Sequence, residues 1–169
     1  MRNIAGAAGL TPGALYWHFP SKEAILYDIL ASLSDEWHAV VEEVMREPTP
    51  GAQLASFVCE QIHWELRLAD EGHALLAVHG PDQLKQFLTA EQRDLISRRQ
   101  DVHFEALEAI LREGVADGSF RDMDTRLTAH AIHDMGSRVP GWWKPDGGIA
   151  ASTVATAYKE LVMRMVAAG

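Results

Sequence analysis

Several histidines of this 169-residue chain stand at spacings that metal centres use. Glu60 and His63 place a carboxylate and an imidazole one helical turn apart, as the helices of di-iron bundles do. Asp70 and His73 repeat the spacing, but His73 follows a glycine at a predicted helix break. A di-iron site also needs further helix-borne glutamates and a second good motif. A metal-binding helical bundle is therefore kept only as an alternative, and the sequence predicts no metal ion and no cofactor.

A second group of histidines falls on one later helix. His130, His133 and Asp134 could together hold a single metal ion or bind the carboxylate of a small-molecule effector. The single cysteine, Cys59, excludes a disulfide framework and a cysteine-based zinc cluster, and its place on an apolar helix face predicts an inert thiol. The sequence contains no Gly-x-Ser-x-Gly elbow and no phosphate-cradling glycine loop. We therefore expect no catalytic residue and no enzymatic activity.

Two polar residues lie on an otherwise apolar helix stripe. Arg99 and His103 share the face that carries Ile96 and Leu107. A buried arginine needs a partner, which could be the phosphate or carboxylate of a ligand, or an aspartate or glutamate of the chain itself. Five aromatic residues could line an apolar effector pocket nearby, or could simply be core. They are Trp37, Phe57, Trp64, Phe87 and Phe104.

Composition gives the chain enough apolar residues for a core. Apolar residues make up 47% of the chain and charged residues 23%, which excludes disorder. No apolar run is long enough for a bilayer and no secretion signal opens the chain, so we expect a cytoplasmic protein without a membrane partner. The net charge of −9 taken alone opposes nucleic-acid binding. Residues 1–27 nevertheless carry a balance of +1, so the acidity belongs to the remaining 142 residues.

The hydrophobic pattern positions these groups on helices. Nearly every segment follows the 3.6-residue period, so the sequence predicts an all-α fold without an internal repeat. Ser21 is expected to cap a helix about 40 Å long that runs until Pro48. Thr89 and Gln92 form a capping box at the start of another helix. The other predicted elements are a helix through Leu54–Leu66, a short piece around Leu84–Leu88, a helix over Asp124–Trp143 and a last one through Val154–Met165.

The first residues are typical of a helix-turn-helix. A short helix over Asn3–Ala8 is followed by Gly9, which suits the left-handed residue of a tight turn. Thr11 can cap the second helix, and Pro12 fits its first position, where no N–H group is needed. The second helix of such a unit enters the major groove of DNA.

The run Ile4–Glu23, with its core Leu-Tyr-x-His-Phe-x-Ser-Lys at 15–22, resembles the helix-turn-helix of TetR-family transcriptional repressors. The resemblance implies that Tyr16, His18 and Lys22 contact phosphates, which their hydroxyl, imidazole and ammonium groups can do as donors. It places five further residues along the floor of the groove. They are Thr11, Pro12, Gly13, Ala14 and Trp17.

The same resemblance divides the chain into two regions. Residues 1–33 form the DNA-binding region and residues 34–169 an effector-binding and dimerisation domain. Family members begin with one more helix, so we expect the sequence to be truncated at its start. The last two helices of a TetR-type protein pair with those of a second copy, and a stripe on the last helix is predicted to do so here, unless it packs only within its own chain. The stripe is Val154, Tyr158, Leu161, Val162 and Met165.

Two further segments are similar to acyl-CoA-responsive TetR members, including regulators of fatty-acid and steroid catabolism. They are Gly-Val-Ala-Asp-Gly-x-Phe at 114–120 and Trp-Trp-Lys-Pro-Asp-Gly at 142–147. The resemblance predicts a homodimeric repressor that a small apolar effector releases from operator DNA, with an acyl-CoA thioester as the candidate. A TetR-type regulator with an aromatic or cationic effector, and a helical dimerisation or interaction protein that binds no DNA, are the alternatives.

Overall fold

The computed structural model describes residues 2–70 and 83–168, and their regular structure is helical apart from one isolated bridge between Phe120 and Ala167. The all-α prediction is confirmed. None of the described helices is long and apolar enough to span a bilayer. The α-helices are α1 (Arg2–Ala7), α2 (Pro12–His18), α3 (Lys22–Val44), α4 (Pro50–Asp70), α5 (Ala90–Ala116), α6 (Thr125–Ser137) and α7 (Ala151–Val166), and two short 3-10 helices cover Lys85–Phe87 and Val139–Gly141.

Helix α3 is the long element that leaves the N-terminal unit. The hydroxyl of Ser21 accepts a hydrogen bond from the Ala24 N–H at 3.1 Å and caps its start. Its 23 residues make it about 35 Å long. The helix ends at Val44, one turn before the predicted stop at Pro48. The Gln53 carboxamide donates to the carbonyls of the following turn, which holds that turn outside the helix.

Helix α4 lies at the centre of the larger part of the chain, where it packs against α3, α5, α6 and α7. The main core forms around it because the apolar stripes of all five helices converge there. Its fully buried members include Leu54 on α4, Leu107 and Ile110 on α5, and Val162 and Val166 on α7.

Glycines allow the central helices to approach closely. A Cβ atom on Gly136 of α6 would lie 2.6 Å from the Gln61 carboxamide of α4, and that amide donates to the His133 carbonyl at 3.2 Å. A Cβ atom on Gly114 of α5 would lie 2.1 Å from the Phe120 ring. The space of the missing side chains is therefore filled by the neighbouring residues in both places.

Helix α6 is shorter than the sequence predicts. It begins after Asp124, whose carboxylate accepts from the Leu127 N–H at 2.9 Å, but it ends at Ser137 rather than Trp143. Pro140 explains the difference, because its ring would clash with the carbonyl four residues earlier and it has no N–H to donate. The chain continues instead as the 3-10 helix Val139–Gly141.

A separate small cluster joins the first half of α3 to α5. Leu30 packs with Ile96 and with Leu84 and Leu88 around the first 3-10 helix, and Tyr27 covers the cluster. Helix α3 crosses the predicted domain boundary at residues 33 and 34 without interruption. The boundary itself stays a prediction.

Candidate nucleic-acid interface and effector site

The turn between α1 and α2 is a Schellman motif, which fixes the angle between the two helices. Gly9 has φ +67°, the left-handed conformation that glycine adopts without strain. The Leu10 N–H donates to the Ala5 carbonyl at 2.9 Å, and the Gly9 N–H donates to the Gly6 carbonyl at 3.2 Å. The sequence prediction of a tight turn at Gly9 is confirmed.

Helix α2 presents most of its surface to solvent. The Thr11 hydroxyl accepts from the Ala14 N–H at 3.2 Å and caps the helix, as predicted, and Pro12 occupies its first position. Leu15 is buried with Ala5 of α1, so one face of α2 is fixed against the preceding helix. The opposite face is left without cover from the described chain.

All eight residues assigned to DNA binding are exposed. The list is Thr11, Pro12, Gly13, Ala14, Tyr16, Trp17, His18 and Lys22. The side chain of Lys22 is 74% exposed at the start of α3, and its Nζ lies 3.9 Å from the Glu23 carboxylate. Hydroxyl, imidazole and ammonium groups are therefore accessible to solvent around α2 and the start of α3, and such groups can donate to phosphates.

Three of the predicted effector residues form an aromatic cluster between α3 and α4. The Trp37 ring lies 5.6 Å from the Phe57 ring and 5.6 Å from the Trp64 ring. The Arg67 guanidinium stands 4.6 Å above Trp64 and bonds to Glu36 at 3.1 Å. Phe57 belongs to the main core and Trp37 packs against it, so the cluster continues that core outward to Trp64, with a cation at its outer edge.

Arg99 binds α3 directly. Its guanidinium forms an ion pair with the Asp35 carboxylate at 2.8 Å and donates a hydrogen bond to the Ala31 carbonyl at 3.0 Å. The sequence left open whether this arginine meets a ligand or an acid of the chain, and the structure provides the acid. Arg99 therefore connects one turn of α3 to the first half of α5.

One turn farther along both helices, two histidines face each other. The His103 ring is 8% exposed and lies 5.6 Å from the His38 ring. Burial, and then the neighbouring His38, lower the pKa of His103 from 6.5 to about 4. The adjacent Phe104 stacks on His130 of α6 at 4.3 Å. His103 is thus a neutral polar group within the seam between α3 and α5.

Glu65 is a half-buried acid that the sequence analysis missed. It lies on α4 one turn beyond the buried Gln61, and burial raises its pKa from 4.5 to about 7. The available signal was its position next to Trp64 and Leu66 on a helix that is apolar on several sides. A glutamate at such a position changes charge near neutral pH.

Two predicted effector residues lie outside the aromatic cluster between α3 and α4. Phe87 is 57% exposed on the 3-10 helix, and its assignment to the effector site stays a prediction. The aromatic side chain lies beside, rather than within, the cluster of Leu84 and Leu88. His133 is exposed on α6, with its carbonyl bonded to Gln61.

The predicted interface stripe on α7 is also corrected in part. Val154 and Val162 are 4% and 1% exposed because they pack into the core of their own chain. Tyr158 and Met165 are half-buried against the same core. Leu161, at 57% exposure, is the member of the stripe that remains on the surface.

Within residues 2–70 and 83–168, no group of three His, Cys, Asp or Glu side chains could hold a metal ion. Glu60 and His63 are both exposed, and His73 lies outside the described residues. Burial raises the pKa of the Cys59 thiol, whose Sγ lies 4.0 Å from the Ala155 carbonyl, so this cysteine stays protonated near neutral pH.

Comparison with known proteins decides the family. Residues 1–29 match the family described as bacterial regulatory proteins, tetR family, and residues 47–166 match the family described as tetracyclin repressor-like, C-terminal domain. The chain belongs to the TetR family. It is therefore a DNA-binding transcriptional repressor of the TetR type, not an enzyme. The predictions of family and class of function are confirmed.

Individual relatives agree with this assignment. This chain is 29% identical over 164 residues to the transcriptional repressor KstR2 of Rhodococcus jostii. The match covers 96% of this chain and 78% of KstR2. Among solved structures, the regulator PfmR of Thermus thermophilus matches with TM-score 0.85 and 33% identity, covering 96% of this chain and 86% of PfmR. AibR in complex with isovaleryl coenzyme A and operator DNA shares the fold, with TM-score 0.81, 24% identity and coverage of 95% and 84%.

Glu65 and His103 should give the regulator opposite dependences of stability on pH. The raised pKa of Glu65 means that the folded chain holds a proton that the unfolded chain releases, so this group's contribution falls as the pH rises from 4.5 to about 7. Glu65→Gln should therefore raise the free energy of unfolding by roughly 3 kcal/mol at pH 8, and by less at pH 5. Denaturant titrations at the two pH values measure this.

His103→Gln is the matched variant, for which the pH dependence of the free energy of unfolding should change in the opposite direction. The lowered pKa of His103 means that its contribution to stability rises with pH between about 4 and 6.5, and the variant should lose that rise. A Glu65→Gln variant that gains equally at both pH values would show that the carboxyl is not held protonated by burial.

Proposed function

We propose that an acyl-CoA thioester releases this repressor from its operator, and that the acyl group enters between α3, α4 and α5. The observation that carries the proposal is the cluster of Trp37, Phe57 and Trp64 at the inner junction of α3 and α4. Such a surface suits an apolar chain rather than a sugar or a peptide. AibR, which shares the fold, was crystallised with isovaleryl coenzyme A and operator DNA, and this supports the ligand class.

The charges around the aromatic cluster suit the coenzyme. The first half of α5 carries Arg93, Arg98 and Arg99, balanced by three acids of the same segment, and Arg67 lies at the edge of the cluster on α4. Guanidinium groups bind phosphates well, and coenzyme A carries several. We place the phosphates of the coenzyme at these arginines, with the acyl group inside.

A cationic aromatic effector is the second candidate. Glu65 would become charged when a cation displaced its proton, and it adjoins Trp64 of the aromatic cluster. Tryptophan faces and a carboxylate are the usual partners of a buried organic cation.

Effector binding would release the repressor from operator DNA by moving α3. This helix connects the reading head, residues 2–21, to the effector region, and Arg99 and His103 of α5 contact its middle. An effector that displaces α3 from α5 would change the distance between the two reading heads of the dimer. The effector shifts the equilibrium only by its difference in affinity for the two arrangements.

The DNA contacts follow from the exposed surface of α2. We propose that Tyr16, His18 and Lys22 bind phosphates while Thr11–Ala14 and Trp17 face the bases, in the cytoplasm where the operator lies. Two reading heads would occupy successive major grooves, about 34 Å apart. The acidic body of the chain would repel DNA from its other faces.

The dimer would form through the exposed side of α7 instead of the buried stripe. Leu161 lies there, next to a shallow depression lined by small residues of the same helix. Thr153, Thr156 and Ala157 contribute to that depression, so the helix of a second copy can approach closely.

A titration of the repressor on DNA tests the effector class. Operators are selected from a random-sequence duplex library, and binding is followed by fluorescence anisotropy with isovaleryl-CoA, longer acyl-CoA thioesters, free coenzyme A and the free acids. We expect one thioester to weaken operator binding by 5- to 150-fold, and its free acid to have little effect. Release by an aromatic cation alone would favour the second candidate, and binding that no compound changes would refute both.

Arg99→Ala should uncouple the effector from DNA. The variant removes the connection between α5 and α3 but no proposed DNA contact, so the thioester should release DNA about tenfold less effectively while operator affinity without effector changes less than twofold. Arg112→Ala is the control, because Arg112 is an exposed arginine of α5 paired only with Glu108 of the same helix among the described residues. Equal behaviour of the two variants would contradict the role of Arg99.

Leu161→Asp should dissociate the dimer without unfolding the chain. A charge at this exposed position costs little within one chain, but it would be buried in the interface of two. Sedimentation velocity should show half the mass with an unchanged circular dichroism spectrum. Val102→Asp, on the surface of α5, is the control that should leave the mass unchanged. A dimeric Leu161→Asp variant would place the interface elsewhere.

A further inference from the structure

Trp17 is the most exposed large apolar side chain that the structure describes. Its indole is 83% exposed on α2, and the ring contact recorded for it is with the edge of His18, at 4.7 Å and 89°. The fold therefore gains little from an apolar side chain of this size at position 17. A tryptophan that is exposed in this way can contact the surface of another molecule.

Helix α2 and the residues beside it, 11–21, have no side chain that pairs with a base through two hydrogen bonds. Between Thr11 and Ser21 the sequence contains no Arg, Lys, Asn, Gln, Asp or Glu. Arginine and lysine pair with guanine, and asparagine and glutamine pair with adenine, through two hydrogen bonds in the major groove. This stretch must distinguish bases by other contacts.

Small residues on the same face leave room beside the indole. Gly13 and Ala14 precede Trp17 by four and three residues, so all three share one face of α2. A Cβ atom on Gly13 would have no neighbour within 4 Å, and the residue has no left-handed φ. Nothing that the structure describes packs on this helical position, where alanine is intrinsically preferred. The glycine leaves space for the close approach of another molecule.

We propose that Trp17 is the specificity-determining residue of the reading head, and that it selects thymine by packing on the 5-methyl group. This methyl is the apolar group that a base pair presents in the major groove. The depression over Gly13 and Ala14 admits it beside the indole, and the His18 ring fixes the orientation of the indole. The inference rests on the proposed binding of operator DNA through α2, and it adds which base is read and by which atoms.

Replacing thymine with deoxyuridine tests the contact, since only the methyl group is removed. The best duplex from the random-sequence selection is remade with each dT changed singly to dU, and its affinity for the full-length protein is measured at low salt, where a weakened variant still binds. One position in each half-site should lose about fourfold in affinity, the equivalent of about 0.8 kcal/mol for a buried methyl group, and both together about fifteenfold. Trp17→Ala should bind the dT and dU duplexes equally.

The control and the outcomes separate this inference from the proposed function. Trp142→Ala removes a tryptophan that is 50% exposed in the larger part of the chain. The DNA affinity of this variant should still fall about fourfold when dT is replaced by dU. A selected duplex that tolerates dU everywhere, or a dU loss that persists in Trp17→Ala, would overturn the role of Trp17 while leaving DNA binding intact. A selection that returns no preferred duplex would refute sequence-specific binding itself, and with it this inference.

Discussion

The function of the repressor depends on one unbroken helix. Helix α3 carries the reading head at its first residue, Lys22, and enters the main core at Val41 and Val44. An α-helix bends little over six turns, because each backbone hydrogen bond resists a change in the next. In the proposed mechanism, a displacement of α3 at its contact with Arg99 therefore reaches the DNA-binding end. The small cluster around Leu30 and the bond from Arg99 to Ala31 set the resting position of this helix.

The two ends of α3 differ in how extensively the residues around them are packed. The body is held by a core of five helices around α4, whereas the contacts of the reading head centre on two buried side chains, Ala5 and Leu15, and a Schellman turn. This difference suits a sensor, since a head with few contacts to the body can follow α3 without unfolding it. Charge divides the molecule in the same way, because the first 27 residues are slightly basic and the rest is strongly acidic.

Local signals in the sequence predicted the elements well. The caps at Thr11, Ser21 and Thr89 were recognised because each requires only a side chain and an amide three residues away. Features that depend on what covers a surface were not predictable in this way. Periodicity showed that one face of α7 is apolar, but it did not show that Val154 and Val162 pack into their own chain. Glu65 was missed because a glutamate on a helix is usually exposed, and it is tertiary packing that half-buries this one.

The distance between the two reading heads tests the central claim most directly. Asn3 is exposed at the start of the head, so Asn3→Cys in a Cys59→Ser background accepts one nitroxide per chain, and double electron–electron resonance gives the distance across the dimer. Isovaleryl-CoA and longer acyl-CoA thioesters are added after calorimetry has shown which of them bind. The account predicts that a thioester that binds and releases DNA shifts the mean distance by several ångströms. An unchanged distance distribution with that thioester bound would contradict control through α3.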